Sequence, residues 1–196
     1  MTSLVATEVF RDNELLVRAV RQQRGDLCVV TFDSYTDRRT LDRQGFGEDF
    51  FRAKGIDAVH VISRQNDWYL QPSMFEALAC IKKLLAEYKR VVAYGSSMGG
   101  YAALRFGGLI GAQAAIAISP QFSIDPQAAP FERRWNFDAQ RLDFASERSM
   151  RHPFVDKGYI FYDPFDLDRR HVELYRDFLE IVDVMIPHSG RPAGGY

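Results

Sequence analysis

The sequence is poor in cysteine and has no strong charge bias. Its two cysteines, Cys28 and Cys80, each stand inside an apolar stretch, which favours buried free thiols over a disulfide. The formal net charge of -1 provides neither a basic surface for nucleic acid nor an acidic tail. No His-Glu-x-x-His spacing occurs, so a metal site is not expected.

Long hydrophobic runs are also missing. The longest uncharged stretch, residues 106–124, is interrupted by glycines and by Pro120, which predicts a helix end, a turn and a buried strand. The first residues, 1–4, lack the basic patch and apolar segment of a signal peptide. We therefore expect a cytoplasmic protein with no membrane span, and the sequence leaves its oligomeric state open.

What the sequence does contain is a regular alternation of strand-like and helix-like segments. Residues 4–10 and 15–20 alternate in polarity around a turn and predict a hairpin. Continuous apolar runs, typical of strands covered on both faces, follow at 27–32, 58–62, 91–94, 114–118, 159–162 and 181–186. Amphipathic helical segments lie between them, at 74–88, 98–109 and 168–180. The 196 residues thus predict a single α/β domain, with a mostly parallel sheet and helices on both faces.

One segment departs from this alternation. Residues 120–153 are rich in Gln, Asp, Arg and aromatic side chains. They predict either an inserted lid over the carboxyl edge of the sheet or a long surface crossover with one helix.

The junction after the strand at 91–94 carries the sequence Gly95-Ser96-Ser97-Met98-Gly99. This is G-x-S-x-G between a predicted strand and a predicted helix, the context that the nucleophile elbow requires. A one-residue turn gives Ser97 a positive φ and brings residues 95 and 99 close together, where only glycine fits. Ser96 lacks glycines on both sides and is the poorer candidate.

Residues 94–104 resemble the elbow of serine esterases of the α/β-hydrolase superfamily, which often carry Ser-Met-Gly-Gly. The resemblance extends over residues 27–188, although only the elbow is specific. It implies a serine nucleophile, then an acid and then a histidine in chain order. The activity it implies is that of a carboxylic-ester hydrolase.

The resemblance places the acid after the strand at 159–162 and the base after the last strand. A family-like G-x-x-D spacing indicates Asp166 as the acid, with Asp163 as the alternative and Asp168 as an N-cap of the next helix. His188 is the histidine in the position of the base, although the family often has Gly-His where this chain has Gly190-Arg191. The chain also ends where a final helix is expected.

The remaining site residues follow from the same elbow. The Met98 N–H and the backbone of Ser34, in the loop after the strand at 27–32, are expected to form the oxyanion hole. Trp68 and Tyr69 are expected either to line the substrate pocket or simply to pack. Of the other histidines, His60 is expected in the core and His171 on the surface.

These residues predict acyl transfer from a small-molecule or glycan-linked ester, without metal or organic cofactor. His188, oriented by Asp166, takes the Ser97 proton while Ser97 attacks the carbonyl. An alternative is a pseudo-hydrolase that lost its base and acts as a binding or partner protein. A phosphate-binding loop at 95–100 is less consistent with the sequence, which lacks both nucleotide-binding glycine patterns.

Overall fold

The computed structural model describes residues 5–22, 25–150 and 154–189. The strands in this part of the chain are β1 Val5–Arg11, β2 Leu15–Arg21, β3 Leu27–Phe32, β4 Asp57–Ser63, β5 Arg90–Ser96, β6 Ala114–Ile118, β7 Lys157–Tyr162 and β8 Glu180–Met185. The helices are α1 Glu48–Lys54, α2 Met74–Leu85, α3 Met98–Phe106, α4 Asn136–Ala139, α5 Ala145–Ser149 and α6 Asp168–Tyr175. None of the described helices has the length and apolar character needed to cross a membrane.

All eight strands form one sheet in the order β1-β2-β4-β3-β5-β6-β7-β8. The predicted hairpin is present, because β1 pairs antiparallel with β2. β2 also pairs antiparallel with β4, and every pairing from β4 to β8 is parallel. The prediction of a mostly parallel α/β sheet with helices is therefore confirmed, and the carboxyl ends of β3, β5 and β6 lie side by side.

The main core lies on the face of the sheet that α2, α3 and α6 cover. Small side chains on the central strands, such as Ala93, Ala115 and Ala117, are fully buried there. Small residues allow α3 to lie close against β5 and β6, so that Tyr101 and Leu104 are also fully buried. This close packing fixes the position of the first turn of α3 relative to the strand ends.

The opposite face of the sheet is less completely covered among the described residues. α1 packs Phe51 against Val29 and Ala58 on this face. Beside it lies an apolar groove of about 440 Å³. Its lining residues come from α1 and four strands: Leu27, Val29, Phe50, Phe51, Val92, Tyr94, Ile116, Ile118 and Phe161. Alternate residues of the central strands thus have unequal environments, fully buried on one face and half-buried on the other.

The segment from 120 to 150 contains the short helices α4 and α5 within mostly irregular chain. It is tied to the body of the protein by ion pairs such as that between Arg134 Nη1 and Asp168 Oδ1 at 3.1 Å. Within the segment, the buried Asp125 carboxylate accepts two hydrogen bonds from Arg148 at 2.6 and 2.8 Å. The last three residues of the predicted insert, 151–153, lie outside the described residues.

Candidate active site

Ser97 is the single residue between β5 and α3. Its backbone has φ 52° and ψ -119°, a conformation that non-glycine residues rarely adopt. The predicted positive φ and the predicted place between strand and helix are both confirmed.

The two glycines of the motif are required by close contacts. A Cβ at Gly95 would overlap the Gly99 carbonyl, and a Cβ at Gly99 would overlap the Phe32 carbonyl at the end of β3. The first turn of α3 therefore lies directly against the start of the loop that follows β3. The free N–H groups of this turn also favour negative charge near Ser97.

The Ser97 side chain is covered and points to an amide. Ser97 is 1% exposed, and its Oγ donates a hydrogen bond to Gln121 Oε1 at 3.3 Å. Gln121 Nε2 donates in turn to the carbonyl of Ser119 at 3.2 Å. Within the described residues, no imidazole hydrogen-bonds to Ser97. The sequence interpretation missed Gln121, although its position just after β6 placed it next to the end of β5.

His188 follows β8 at the surface. It has φ 61°, and its ring stacks on Phe165 with 5.4 Å between the ring centroids. Among the described residues, its imidazole has no hydrogen bond to a carboxylate. Gly190 and Arg191, which bear on the identity of the base, lie outside the described residues. The assignment of His188 as the base stays a prediction.

The two candidate acids, Asp166 and Asp163, have different partners. Asp166 Oδ2 lies 3.8 Å from Arg134 Nη1, and Asp166 Oδ1 accepts a hydrogen bond from the Leu167 N–H at 2.6 Å. Asp163 is buried and accepts from the Phe165 N–H at 2.9 Å. The structure thus brings Asp166 together with Arg134, and its role as the acid stays a prediction.

Asp168 was expected to cap the last helix, and this is wrong. It is the first residue of α6, whose N-cap is Leu167, and its carboxylate makes no capping hydrogen bond. Instead, the buried Asp168 accepts from Arg134 Nη1 at 3.1 Å. A buried carboxylate needs a partner of opposite charge, and the arginine from the 120–150 segment supplies it.

His171 was expected on the surface, and this too is wrong, because it is fully buried. Its Nδ1 accepts from the Phe122 N–H at 3.1 Å, and its Nε2 lies 2.8 Å from Glu132 Oε2. The spacing to Tyr175 could have revealed this, because residues four apart share one face of a helix and a tyrosine of an amphipathic helix commonly lies on its buried face. His60 is fully buried as expected, with Nδ1 2.7 Å from Thr31 Oγ1.

The loop after β3 begins with Asp33 and Ser34. Asp33 is buried, and its carboxylate accepts from Arg43 at 2.7 Å and from the Phe46 N–H at 2.9 Å. Burial raises the pKa of Asp33 to about 6, and Arg43 opposes this shift. The Phe32 and Asp33 carbonyls lie close to Gly99 in the first turn of α3, and the half-buried Ser34 follows them in the chain. The oxyanion roles of Ser34 and Met98 stay predictions.

Trp68 and Tyr69 form an unusual turn after β4, with φ angles of 51° and 57°. Both are 1% exposed. The Tyr69 ring packs edge-on against Phe32, and its hydroxyl donates to the Asp33 carbonyl at 2.9 Å. Trp68 meets Trp135, from the 120–150 segment, with ring centroids 5.3 Å apart. Tyr69 thus fixes the loop after β3, while Trp68 joins the 120–150 segment to the carboxyl edge of the sheet.

No group of three or more His, Cys, Asp or Glu side chains in the described part of the chain is arranged to hold a metal ion. The site described so far consists of a strained serine, its amide partner and three loops at one edge of the sheet.

Comparisons with known proteins point to one superfamily. The sequence profile of the alpha/beta hydrolase family matches residues 10–193. No curated protein matches the sequence. Among solved structures, the chain is similar to the capsule O-acetyltransferase of Neisseria meningitidis serogroup A, with 13% identity, a TM-score of 0.62, and coverage of 96% of this chain and 89% of that one.

Two esterases give similar values. Thermogutta terrifontis esterase 2 has 15% identity and a TM-score of 0.64, with coverage of 98% of this chain and 86% of the esterase. Acetyl xylan esterase 1 from Thermoanaerobacterium has 12% identity and a TM-score of 0.55, with coverage of 97% and 84%. At these identities the solved structures establish a shared fold.

Proposed function

Because the chain belongs to the alpha/beta hydrolase family, we propose that it is a serine hydrolase or acyltransferase acting on carboxylic esters, with Ser97 as its nucleophile. The observation that carries this proposal is the elbow. A serine with φ 52° between β5 and α3, flanked by glycines whose replacement would cause overlap, is costly for folding alone. The same geometry places a nucleophile at a helix N-terminus, where a developing negative charge is stabilised.

The mechanism uses a base, a nucleophile and two backbone donors. His188, oriented by Asp166 or Asp163, accepts the Ser97 proton as Oγ attacks the ester carbonyl. The N–H groups of Met98 and Ser34 hold the oxyanion of the tetrahedral intermediate. Collapse of the intermediate breaks the ester C–O bond, the protonated base donates its proton to the leaving alcohol, and Ser97 carries the acyl group. Water or another hydroxyl then accepts that group.

The expected substrate class is a small-molecule or glycan-linked acyl ester. Support comes from the names of structural neighbours, which include a capsule O-acetyltransferase and an acetyl xylan esterase. Hydrolysis and acyl transfer share every step up to the acyl-enzyme, and the final acceptor decides between them.

The first prediction tests the nucleophile. A fluorophosphonate probe is expected to label the protein, and short-chain aryl esters to be hydrolysed. Ser97→Ala should abolish both, because it removes the attacking oxygen, whereas the matched control Ser96→Ala should retain them. Mass spectrometry of the labelled peptide locates the modified serine. Labelling at Ser96, or persistence of labelling in Ser97→Ala, would contradict the assignment.

The base is tested in the same assay. His188→Ala should lower turnover nearly as far as Ser97→Ala, and the double variant should be little worse, because members of a triad act as a unit. Full activity of His188→Ala would remove His188 from the mechanism and leave Ser97 in place. A wild-type protein that neither hydrolyses esters nor reacts with the probe would indicate the pseudo-hydrolase, unless a substitution of the residue that covers Ser97 restores labelling.

A further inference from the structure

The loop that joins β6 to the 120–150 segment lies directly over the nucleophile. Ser119 has φ 45°, and its N–H donates to the Phe161 carbonyl at 2.7 Å, which fixes the start of the loop at the end of β7. Two residues later, Gln121 is 3% exposed and its side chain receives the Ser97 hydroxyl. This backbone therefore determines where the Gln121 amide lies relative to Ser97 Oγ.

Helix α6 holds the far end of the same loop. The Tyr175 hydroxyl donates to the Gln121 carbonyl at 2.7 Å, and His171 Nδ1 accepts from the N–H of the next residue, Phe122, at 3.1 Å. Residues four apart lie on one face of a helix, so one side of α6 binds the acceptor and the donor of a single peptide unit. His171 and Tyr175 are both fully buried.

The contact with Glu132 fixes the protonation state that His171 needs for this role. Because the Phe122 N–H is a donor, Nδ1 must carry a lone pair and the ring proton must lie on Nε2. Nε2 then donates to Glu132, whose Oε2 also accepts from Arg134 at 2.7 Å. Burial would raise the pKa of Glu132, but its hydrogen bonds to His171 and Arg134 outweigh burial and lower it to about 2. Glu132 is therefore an anionic acceptor at neutral pH.

The bond between Ser97 and Gln121 has a chemical consequence. A carboxamide oxygen does not take a proton from an alcohol at neutral pH, so a hydroxyl aimed at it is not activated. An ester carbon must also come within about 3–3.5 Å of Oγ for attack, and Ser97 at 1% exposure leaves no such approach. Within the described part of the chain, the Ser97 hydroxyl therefore has neither a proton acceptor nor an open approach for an ester carbon.

We propose that the Gln121 side chain is a cap on the nucleophile and that His171 and Tyr175 are positioning residues that keep this cap over Ser97. The rate at which Ser97 reacts then depends on displacement of the Gln121 side chain. The reactivity part of this inference rests on the proposed function. The hold of α6 on the loop does not, because it concerns hydrogen bonds within the folded protein.

The test compares the rate of fluorophosphonate labelling at Ser97 in the full chain. Gln121→Met keeps the length of the side chain but removes the acceptor, and it should be labelled about fivefold faster, the rate equivalent of one hydrogen bond of about 1 kcal/mol. Tyr175→Phe should change the rate in the same direction, by less. The matched control is Tyr88→Phe, which removes a tyrosine hydroxyl that donates to Asp57 at 3.0 Å and should leave the rate unchanged.

A spectroscopic readout separates positioning from general stability. Nitrogen-15 NMR of the wild-type imidazoles should show neutral His171 with its proton on Nε2. A proton on Nδ1, or an imidazolium at neutral pH, would contradict the proposed positioning of the loop by His171 and Tyr175, whatever the labelling rates are. A Tyr175→Phe rate equal to that of Tyr88→Phe would overturn it as well.

The remaining outcomes distinguish the two proposals. If the wild type is labelled at Ser97 and Gln121→Met reacts at the same rate or more slowly, the cap is wrong and the hydrolase stands. If Gln121→Met is labelled and the wild type is not, the cap is complete and both proposals are supported. If neither reacts, both the hydrolase and the cap are overturned, and the NMR result decides the hold alone.

Discussion

His60 shows how a single buried side chain couples stability to pH. It is fully buried on β4, and burial, opposed by the charge of Glu48, lowers its pKa to about 4. In the unfolded chain this histidine has an ordinary pKa near 6.5. Between pH 6.5 and about 4, His60 is therefore protonated in the unfolded chain but not in the folded protein. The contribution of His60 to the free energy of unfolding is therefore fully present above pH 6.5 and is lost as the pH falls toward 4.

This gives a prediction for His60→Asn, whose carbonyl can replace Nδ1 as partner of Thr31. The free energy of unfolding of the wild type should decrease by about 1 kcal/mol per pH unit below pH 6 on account of this residue, and the variant should lack that contribution. Urea unfolding at pH 7, 6, 5 and 4.5 measures the difference. The control Thr31→Val disturbs the same contact but keeps the imidazole, and should keep the slope. Parallel pH profiles for wild type and His60→Asn would contradict the prediction.

At this scale, the sequence predicts a residue well when its neighbours in the chain encode the geometry. Ser97 could be identified because Gly95 and Gly99 mark the two positions beside it where the backbone is too close to other backbone atoms for a side chain. Gln121 and His171 were not, because their partners lie 24 and 49 residues away in the chain and are brought close only by the sheet and α6. The pattern of apolar residues carries no information on such polar pairings.

Among the elements, the loop after β3 depends on the turn after β4 for its position. Tyr69, in the turn after β4, donates a hydrogen bond from its hydroxyl to the carbonyl of Asp33, the residue before Ser34 in the loop after β3. Tyr69→Phe leaves this buried carbonyl without that donor, at a cost of about 1 kcal/mol in the free energy of unfolding.

We expect Tyr69→Phe also to slow labelling of Ser97 about tenfold, because a displaced Ser34 N–H donates less well to the oxyanion. Complete loss of an oxyanion donor would reduce the rate still further. Chemical denaturation gives the first quantity and probe kinetics the second. Tyr88→Phe serves again as the comparison, with a similar loss of stability and no loss of labelling rate. Equal labelling rates in the two variants would argue against Ser34 as an oxyanion donor.

The elements themselves were largely predictable. Each apolar run corresponds to a strand, because residues covered on both faces must be apolar, and the predicted strand at 91–94 is the centre of β5. Helix α1 was not predicted. The turn at Trp68 and Tyr69 could not be, because bulky residues rarely have positive φ and nothing in their sequence marks them as exceptions.

For the whole molecule, the two faces of the sheet are expected to tolerate change differently. Neighbouring positions on β6 face opposite sides, with Ala115 fully buried under α3 and Ile116 half-buried beside the apolar groove. Ala115→Lys forces an ammonium group into the core and should cost more than about 3 kcal/mol of stability.

Ile116→Lys should cost about 1–2 kcal/mol, because its amine can reach water from the groove. Thermal and urea unfolding of the two variants, matched in the residue introduced, give the comparison. A loss for Ile116→Lys as large as that for Ala115→Lys would show that the groove face is as closed in solution as the other. The sequence predicted the strands but not this asymmetry, since half-buried and fully buried positions of a parallel strand are equally apolar.

The order of the elements along the chain has a consequence for synthesis. Ser97 lies near the middle of the sequence, whereas Gln121, Glu132 and α6 are all translated after it. While the chain leaves the ribosome, β3, β4, β5 and α3 can assemble before the residues that cover the serine have been made. Until residues 121–175 have been synthesised, the chain lacks the groups that cover Ser97, so any elbow formed during synthesis would stand without its cap.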